Sequence, residues 1–442
     1  MHVPVRVSAR TAYDQRMWTR AFQNSSRRPV DCTAMEDAVP GAGGGQLPWR
    51  ELPATFWALF AGVLLMALAT FVFPFLTLFL RARGYSVEEA GLLVALFGAG
   101  TIPAGPLGGW LADRFGRRPT LIASLLCAAA FTALLPFLSH PALLAAGTLV
   151  LGVAVHAYFP ASSAVVADVV RPERYADAYG LMYWERNLGV AVSFALGGAL
   201  AAHGFDRLFL ADAATTLLFA GVTVVLIPET RPATPRPAPG GADPGAPRRG
   251  FATLLADRHF TRLMLLNAAF LVALFQFMVA LPVVMSSLGL GPAEYGRAMA
   301  VNGVLIVACQ PWMTRVTSRF DPARALALAA LLVGAGYGAY AFCSTPLEFT
   351  LATAVWSMGE IVTIPIVSAL VARLSPPDLR GRYQGAFGTS FGVALAAAPA
   401  VGGAVVGSLG AGVLWASVAV TCALVAAGHL AAGRARARAG VA

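Results

Sequence analysis

From Ala54 to near its C-terminus the chain returns again and again to apolar stretches of about 20 residues or more, long enough to cross the hydrocarbon core of a bilayer. That recurrence leaves few folds open. In lipid no water can bond a free amide or carbonyl, so each spanning element must satisfy its backbone internally or in a closed barrel. A barrel needs short segments of alternating polarity, and none are present. Only 12% of the residues are charged, about half the share of an ordinary soluble domain. The expected fold class is all-α and integral to the membrane.

Turn residues and charges divide the apolar sequence into twelve expected spans. Six lie at 54–80, 88–112, 119–139, 141–168, 176–202 and 207–228, and six at 261–288, 293–316, 324–343, 347–373, 382–408 and 411–433. The implied organisation is a disordered polar tail over 1–48, a six-helix bundle over 49–228, a linker over 229–260, a second bundle over 261–433 and a tail over 434–442. The linker, PETRPATPRPAPGGADPGAPRRG in its first part, is too rich in Pro and Gly for a regular element.

The net charge of +10 does not point to nucleic acid, because the basic residues form no patch. They gather instead in alternate short loops. With the N-terminus inside, the inner loops hold Arg114, Arg117, Arg118, Arg171, Arg174, Arg319, Arg373 and Arg382, against Arg81, Arg83 and Arg207 outside. Both termini are therefore expected in the cytoplasm. The sequence has no lysine, which rules out a lysine-containing P-loop and a lysine Schiff base. The five cysteines have neither metal-ligand spacing nor an evident disulfide partner. No nucleophile stands with a base and an orienting group, so neither a cofactor nor an enzyme is expected.

The two halves resemble each other at one unbroken offset. Pro106 and Pro311, Arg114-Phe115 and Arg319-Phe320, Pro160 and Pro365, Pro172 and Pro377, and Gly198 and Gly403 all match at 205 residues. An even number of spans keeps the repeats parallel, as in transporters whose substrate site lies between the halves.

Between the second and third spans stands Gly109-Trp110-Leu111-Ala112-Asp113-Arg114-Phe115-Gly116-Arg117-Arg118. This run resembles the G-x-L-a-D-r-x-G-r-[kr] signature of the major facilitator superfamily. The resemblance implies a gating contact in which Asp113, disfavoured by its own helix dipole, meets the start of span 11 near Arg382 while the cytoplasmic side is closed. It also implies that Arg117 reaches Asp168 at the inner end of span 4. The bland alternative is that these arginines only set topology. In the second half the motif is worn, with Ser318 and Asp321 replacing the acid and the glycine. Gly359-Glu360 through Pro365, followed by Arg380-Gly381-Arg382-Tyr383, resembles the twelve-span drug/proton antiporter branch. Ser193-Phe194 stand in span 5 where that branch has Gly-Pro.

An ionisable group within a span is a functional candidate, since it costs about 2.5–3.5 kcal/mol at mid-depth on insertion scales. Glu360, near the middle of span 10, is the leading proton-coupling acid; contact with a cationic substrate or a structural hydrogen bond are the alternatives. Glu185 and His156 are further proton-coupling candidates, against a structural ion pair and a quiet packing histidine. Adjacent helical residues point about 100° apart, so Glu185 and Arg186 do not simply neutralise each other. Phe71, Tyr158, Arg186, Asn267, Gln276, Asn302 and Trp356 are cavity candidates, although the amides serve equally well to bond neighbouring helices. Glycines at small-xxx-small spacing, Gly105/Gly109, Gly381/Gly385 and Gly388/Gly392, predict close packing of spans 2 and 11.

The resulting expectation is a monomeric secondary transporter of a bacterial inner membrane, working by alternating access. Its partners are the lipid bilayer, protons and a hydrophobic small molecule such as a drug, exported against proton entry. A polar metabolite such as a sugar is the alternative cargo, and a non-transporting receptor or assembly factor the alternative class.

Overall fold

The computed structural model describes residues 52–171, 174–231, 254, 256–317, 319–376 and 379–438. The expected N-terminal tail, most of the linker and Ser318 lie outside the described residues, and all secondary structure within them is helical. In chain order the α-helices are α1 (Ala54–Leu68), α2 (Val72–Ala82), α3 (Val87–Phe115), α4 (Arg117–Leu134), α5 (Pro141–Val169), α6 (Tyr175–Ala201) and α7 (Phe205–Leu226). After residue 253 come α8 (Arg258–Leu274), α9 (Ala280–Ser287), α10 (Pro292–Thr317), α11 (Pro322–Ala339), α12 (Pro346–Leu374), α13 (Arg380–Leu409) and α14 (Ala411–Arg438).

Local chemistry explains the boundaries. Ser86 and Glu89 form a reciprocal capping box at the start of α3, and Thr345 and Glu348 another at the start of α12, each satisfying two amides that a helix start leaves free. Asp257 and Asp321 cap α8 and α11 by accepting backbone amides. Between α1 and α2 the helix breaks over Ala69–Phe71, so the first span consists of two half-helices. Between α8 and α9 a turn of 3₁₀ helix, Phe275–Met278, makes a similar interruption.

Among the described residues, ten helical segments are long and apolar enough to cross a membrane by length and composition. These correspond to ten of the expected spans. The remaining two, α6 and α10, are long helices whose apolar runs are diluted by polar residues, among them Glu185, Arg186 and Asn187 on one and Asn302 and Gln310 on the other.

Two antiparallel seams join helices distant in sequence, α3 with α13 and α6 with α10. Glycine allows their backbones to touch. A Cβ at Gly98 would lie 2.2 Å from the Leu395 carbonyl oxygen, one at Gly91 would lie 3.0 Å from the Gly403 Cα, and one at Gly296 would lie 2.4 Å from the Phe194 carbonyl oxygen. These close approaches lie away from Asp113, toward the end of the molecule that holds Arg81 and Arg83. Continuing the α3–α13 register brings Gly105 opposite Gly388 and Gly109 opposite Gly385. There the packing is looser: a Cβ at Gly105, Gly385 or Gly388 would meet no described atom within 4 Å. The expected glycine packing of spans 2 and 11 is thus found, but mostly at other glycines. Of those expected, Gly392 does pack, against Thr101 and Ile102.

Candidate functional site

The Gly109–Arg118 run ends α3 and opens α4. Gly116 makes the turn with φ +110°, in the region that only glycine enters without strain. Arg117 then reaches two carboxylates: its Nη1 donates to Asp113 Oδ1 at 2.9 Å and its Nε to Asp168 Oδ2 at 3.2 Å. Arg118 donates to the Val224 carbonyl at 2.6 Å, and the Arg114 carbonyl accepts from Arg231 at 2.9 Å. The geometry therefore brings Arg117 to Asp168 as the family resemblance implies.

Asp113 does not meet the start of α13. Its side chain is 78% exposed and is held by Arg117 on the following helix. The physical reason lies in the seam, which loses its close contacts on the Asp113 side of Gly392. In this conformation the implied contact between Asp113 and span 11 is absent among the described residues.

Glu229 escaped the sequence reading, which placed it in the linker. Its carboxylate accepts the backbone amides of Arg117 at 2.9 Å, Arg118 at 3.2 Å and Arg231 at 2.8 Å. It thus sits at the positive N-terminus of α4, where such amides lack helical partners. A Cβ on Gly116 would lie 2.3 Å from Glu229 Oε2, so the glycine is needed both for its turn and for this carboxylate. Thr230 adds a 3.3 Å hydrogen bond to Asp168. The only cue in the sequence was an acid just beyond the last apolar residue of a span.

At mid-depth, Glu360 on α12 is half-buried. Its Oε2 accepts from Asn302 Nδ2 on α10 at 2.7 Å, and the same amide is 3.0 Å from Ser357 Oγ. No arginine lies within 4 Å of the Glu360 carboxylate among the described residues. The structure thus joins two of the expected residues, Glu360 and Asn302. Trp356 is placed differently. It is fully buried, donates to the Tyr340 hydroxyl at 2.7 Å and stacks on Phe277. It belongs to an aromatic core with Tyr337 and Trp415. Asn267 donates to Ser390 at 2.9 Å, and Gln276 to the Ala398 carbonyl at 3.2 Å. Both amides tie α8 and its 3₁₀ extension to α13.

On α6 the neighbours Glu185 and Arg186 part company. Glu185 is fully buried, and neither carboxyl oxygen has a hydrogen-bond partner among the described residues. Arg186 is exposed, with its guanidinium 4.7 Å from the centre of the Phe159 ring. It lines a pocket between α1, α5 and α6 together with Tyr158, Ser162, Tyr179 and Tyr183. His156 donates through Nδ1 to the Gly152 carbonyl at 3.2 Å and lies between the rings of Phe97 and Phe159. Phe71 is buried at the α1–α2 break, against the Gly197 turn of α6.

A second acid missed from sequence stands at that break. Asp212 on α7 is buried, and its Oδ2 accepts the amides of Phe71 and Val72, both at 2.9 Å. It supplies the acceptor that the Val72 amide lacks at the first turn of α2, shares the Phe71 amide with the Ala69 carbonyl, and faces a cavity lined by Thr70, Tyr158 and Thr216. An aspartate inside the apolar run Phe205–Leu226 was the available signal.

Comparison with known proteins accords with this arrangement. The Major Facilitator Superfamily model matches residues 58–284 and 263–438. The multidrug resistance protein MdtH of Aeromonas salmonicida is 26% identical over 333 residues, covering 74% of this chain and 82% of that protein. A Na(+), Li(+), K(+)/H(+) antiporter of Planococcus maritimus is 26% identical over 357 residues, covering 74% and 84%. Among solved structures, the nucleoside transporter NupG (D323A mutant) superposes with a TM-score of 0.72 at 13% identity, covering 86% of this chain and all of that one. A family model that spans most of the chain, relatives matched over three quarters of it and a common fold lead to one assignment: this chain belongs to the major facilitator superfamily, as a multi-pass membrane transporter.

Proposed function

We propose that the protein exports hydrophobic small molecules across a bacterial inner membrane by alternating access, driven by proton entry, with Glu360 as the proton-coupling acid. The supporting observation is the Glu360 site itself: a half-buried carboxyl on a transmembrane helix, bonded to the neutral Asn302 and without a cationic partner among the described residues. A carboxyl paired with arginine is held ionised. One bonded to an amide can be either charged or neutral, because Asn302 donates to one form and its carbonyl accepts from the other.

In this reading α6 and α10 also cross the membrane, which completes twelve spans in two six-helix bundles joined by the 229–260 linker. Both termini are cytoplasmic, and the Asp113 end faces the cytoplasm. The relatives described as a multidrug resistance protein and as a cation/proton antiporter support proton-driven export. One charge crossing 100 mV is worth about 2.3 kcal/mol, a gradient of roughly fiftyfold.

The test is dye and drug efflux from an efflux-deficient host that makes the protein, with and without a protonophore. Energy-dependent efflux that collapses with the protonophore is expected. Glu360→Gln is expected to abolish uphill transport while leaving membrane abundance and downhill exchange near wild type. Loss of folded protein on that substitution would show that the carboxyl is structural, and uphill transport that persists would remove Glu360 from the coupling step.

A further inference from the structure

The pocket beside Arg186 differs in character from the Glu360 region. It has a volume of about 160 Å³, and a cavity of about 150 Å³ is enough to hold a benzene ring. Its walls are aromatic faces and hydroxyl groups from α5 and α6, together with Val166 and Met182, and Val63 of α1 closes one side. The Tyr183 hydroxyl receives a 3.2 Å hydrogen bond from Gln310, which leaves the phenolic proton for another acceptor. Among the described residues the one charge on the wall is positive. Arg186 lies over the face of Phe159, and no carboxylate is within 4 Å of it among the described residues. Glu185, one residue away, is turned into the protein and buried, so it does not enter the pocket as a counterion.

A guanidinium within a spanning helix without an anion is costly, and it offers planar donors suited to carboxylate or sulfonate oxygens. Its charge opposes entry of a cation. The aromatic walls select for a ring. We propose that this pocket binds the charged group of an aromatic organic anion through Arg186, so that the exported molecules include amphiphilic anions. The inference deepens the efflux reading and takes its physiological sense from it.

The purified full-length protein is tested with three probes that each carry one tetrahedral group on a phenyl ring: benzenesulfonate, neutral benzenesulfonamide and phenyltrimethylammonium. Benzenesulfonate is expected to bind about tenfold or more tightly than the other two, the size of one charge-assisted hydrogen bond. Arg186→Gln is expected to remove that preference and Arg186→Lys to retain part of it, while the sulfonamide binds all three proteins alike. Equal binding of the three probes by wild type overturns the proposal even if the variants do not fold. So does an anion preference that survives in Arg186→Gln.

Proteoliposomes with an imposed pH gradient then separate the two readings. Gradient-driven dye transport by a protein with no anion preference ends this inference and leaves efflux standing. Arg186-dependent benzenesulfonate binding without any gradient-driven transport does the reverse.

Discussion

Asp212 accepts two backbone amides at once: that of Phe71, which also reaches the Ala69 carbonyl, and that of Val72, for which no other acceptor is described. A buried amide that loses its acceptor costs roughly 1–3 kcal/mol. Asp212→Ala is therefore expected to lower the melting temperature and the yield of folded protein, measured by thermal denaturation in detergent. Asp212→Asn keeps a carbonyl oxygen in place and is expected to fall between that variant and wild type. Equal stability of all three would mean that the half-helix is capped by other means. The residue went unnoticed in the sequence because its partners are main-chain atoms of a helix break, which leaves no charge partner to search for. Glu360 and Asn302 were legible as buried polar groups, but their contact was not, since they stand 58 residues apart. Trp356 looked like a cavity residue because large aromatics on a central helix suit cavities and cores equally. Its bond to the Tyr340 hydroxyl and its stacking on the Phe277 ring are made with residues that its own stretch of sequence does not identify.

At the scale of elements, the helices were readable because apolar length and flanking caps are local properties of sequence. The seams were not, because small-xxx-small spacing identifies a helix face that permits close approach without naming the neighbour that uses it. Gly105/Gly109 and Gly91/Gly98 offer similar faces on α3, and the structure packs the second pair against α13. The register of that seam makes a prediction. Cysteines introduced by Gly105→Cys and Gly388→Cys are expected to cross-link poorly when the Asp113 end is open and efficiently when it is closed. The check is cross-linking yield with and without saturating substrate or inhibitor. A yield that is high and constant would show that α3 and α13 stay packed along their whole length. The linker was read as irregular from its Pro and Gly content, and that composition hid the docking of its first residues. Glu229 and Thr230 remain bonded to the α3–α4 turn and to Asp168.

For the whole molecule, tight packing at one end and loose packing at the other are what one station of the proposed alternating cycle would present. The carboxylate of Asp113 is exposed here, and in the opposite station it is expected to meet the start of α13. Asp113→Asn is therefore expected to lower turnover more than substrate affinity, read as kcat against KM in reconstituted transport. Turnover that does not change would assign the motif to topology alone. The cluster of Arg117, Asp168, Glu229 and Thr230 differs, since its hydrogen bonds among the described residues lie within the first 231 residues. It is expected to hold the ends of α3, α4, α5 and α7 together when Asp113 is engaged as well.

The break in the first span also imposes an order on biogenesis. Val72 emerges from the ribosome early, and the oxygen its amide needs belongs to a residue about 140 positions later. At roughly 5–20 residues per second, that amide waits on the order of ten seconds or longer beside the translocation machinery with no native acceptor. Until α7 has been made, the first span has only the intrinsic helicity of its two pieces and whatever water or insertase group reaches the gap. The amino-terminal bundle therefore cannot mature helix by helix in the order of synthesis: its first member is completed by its last.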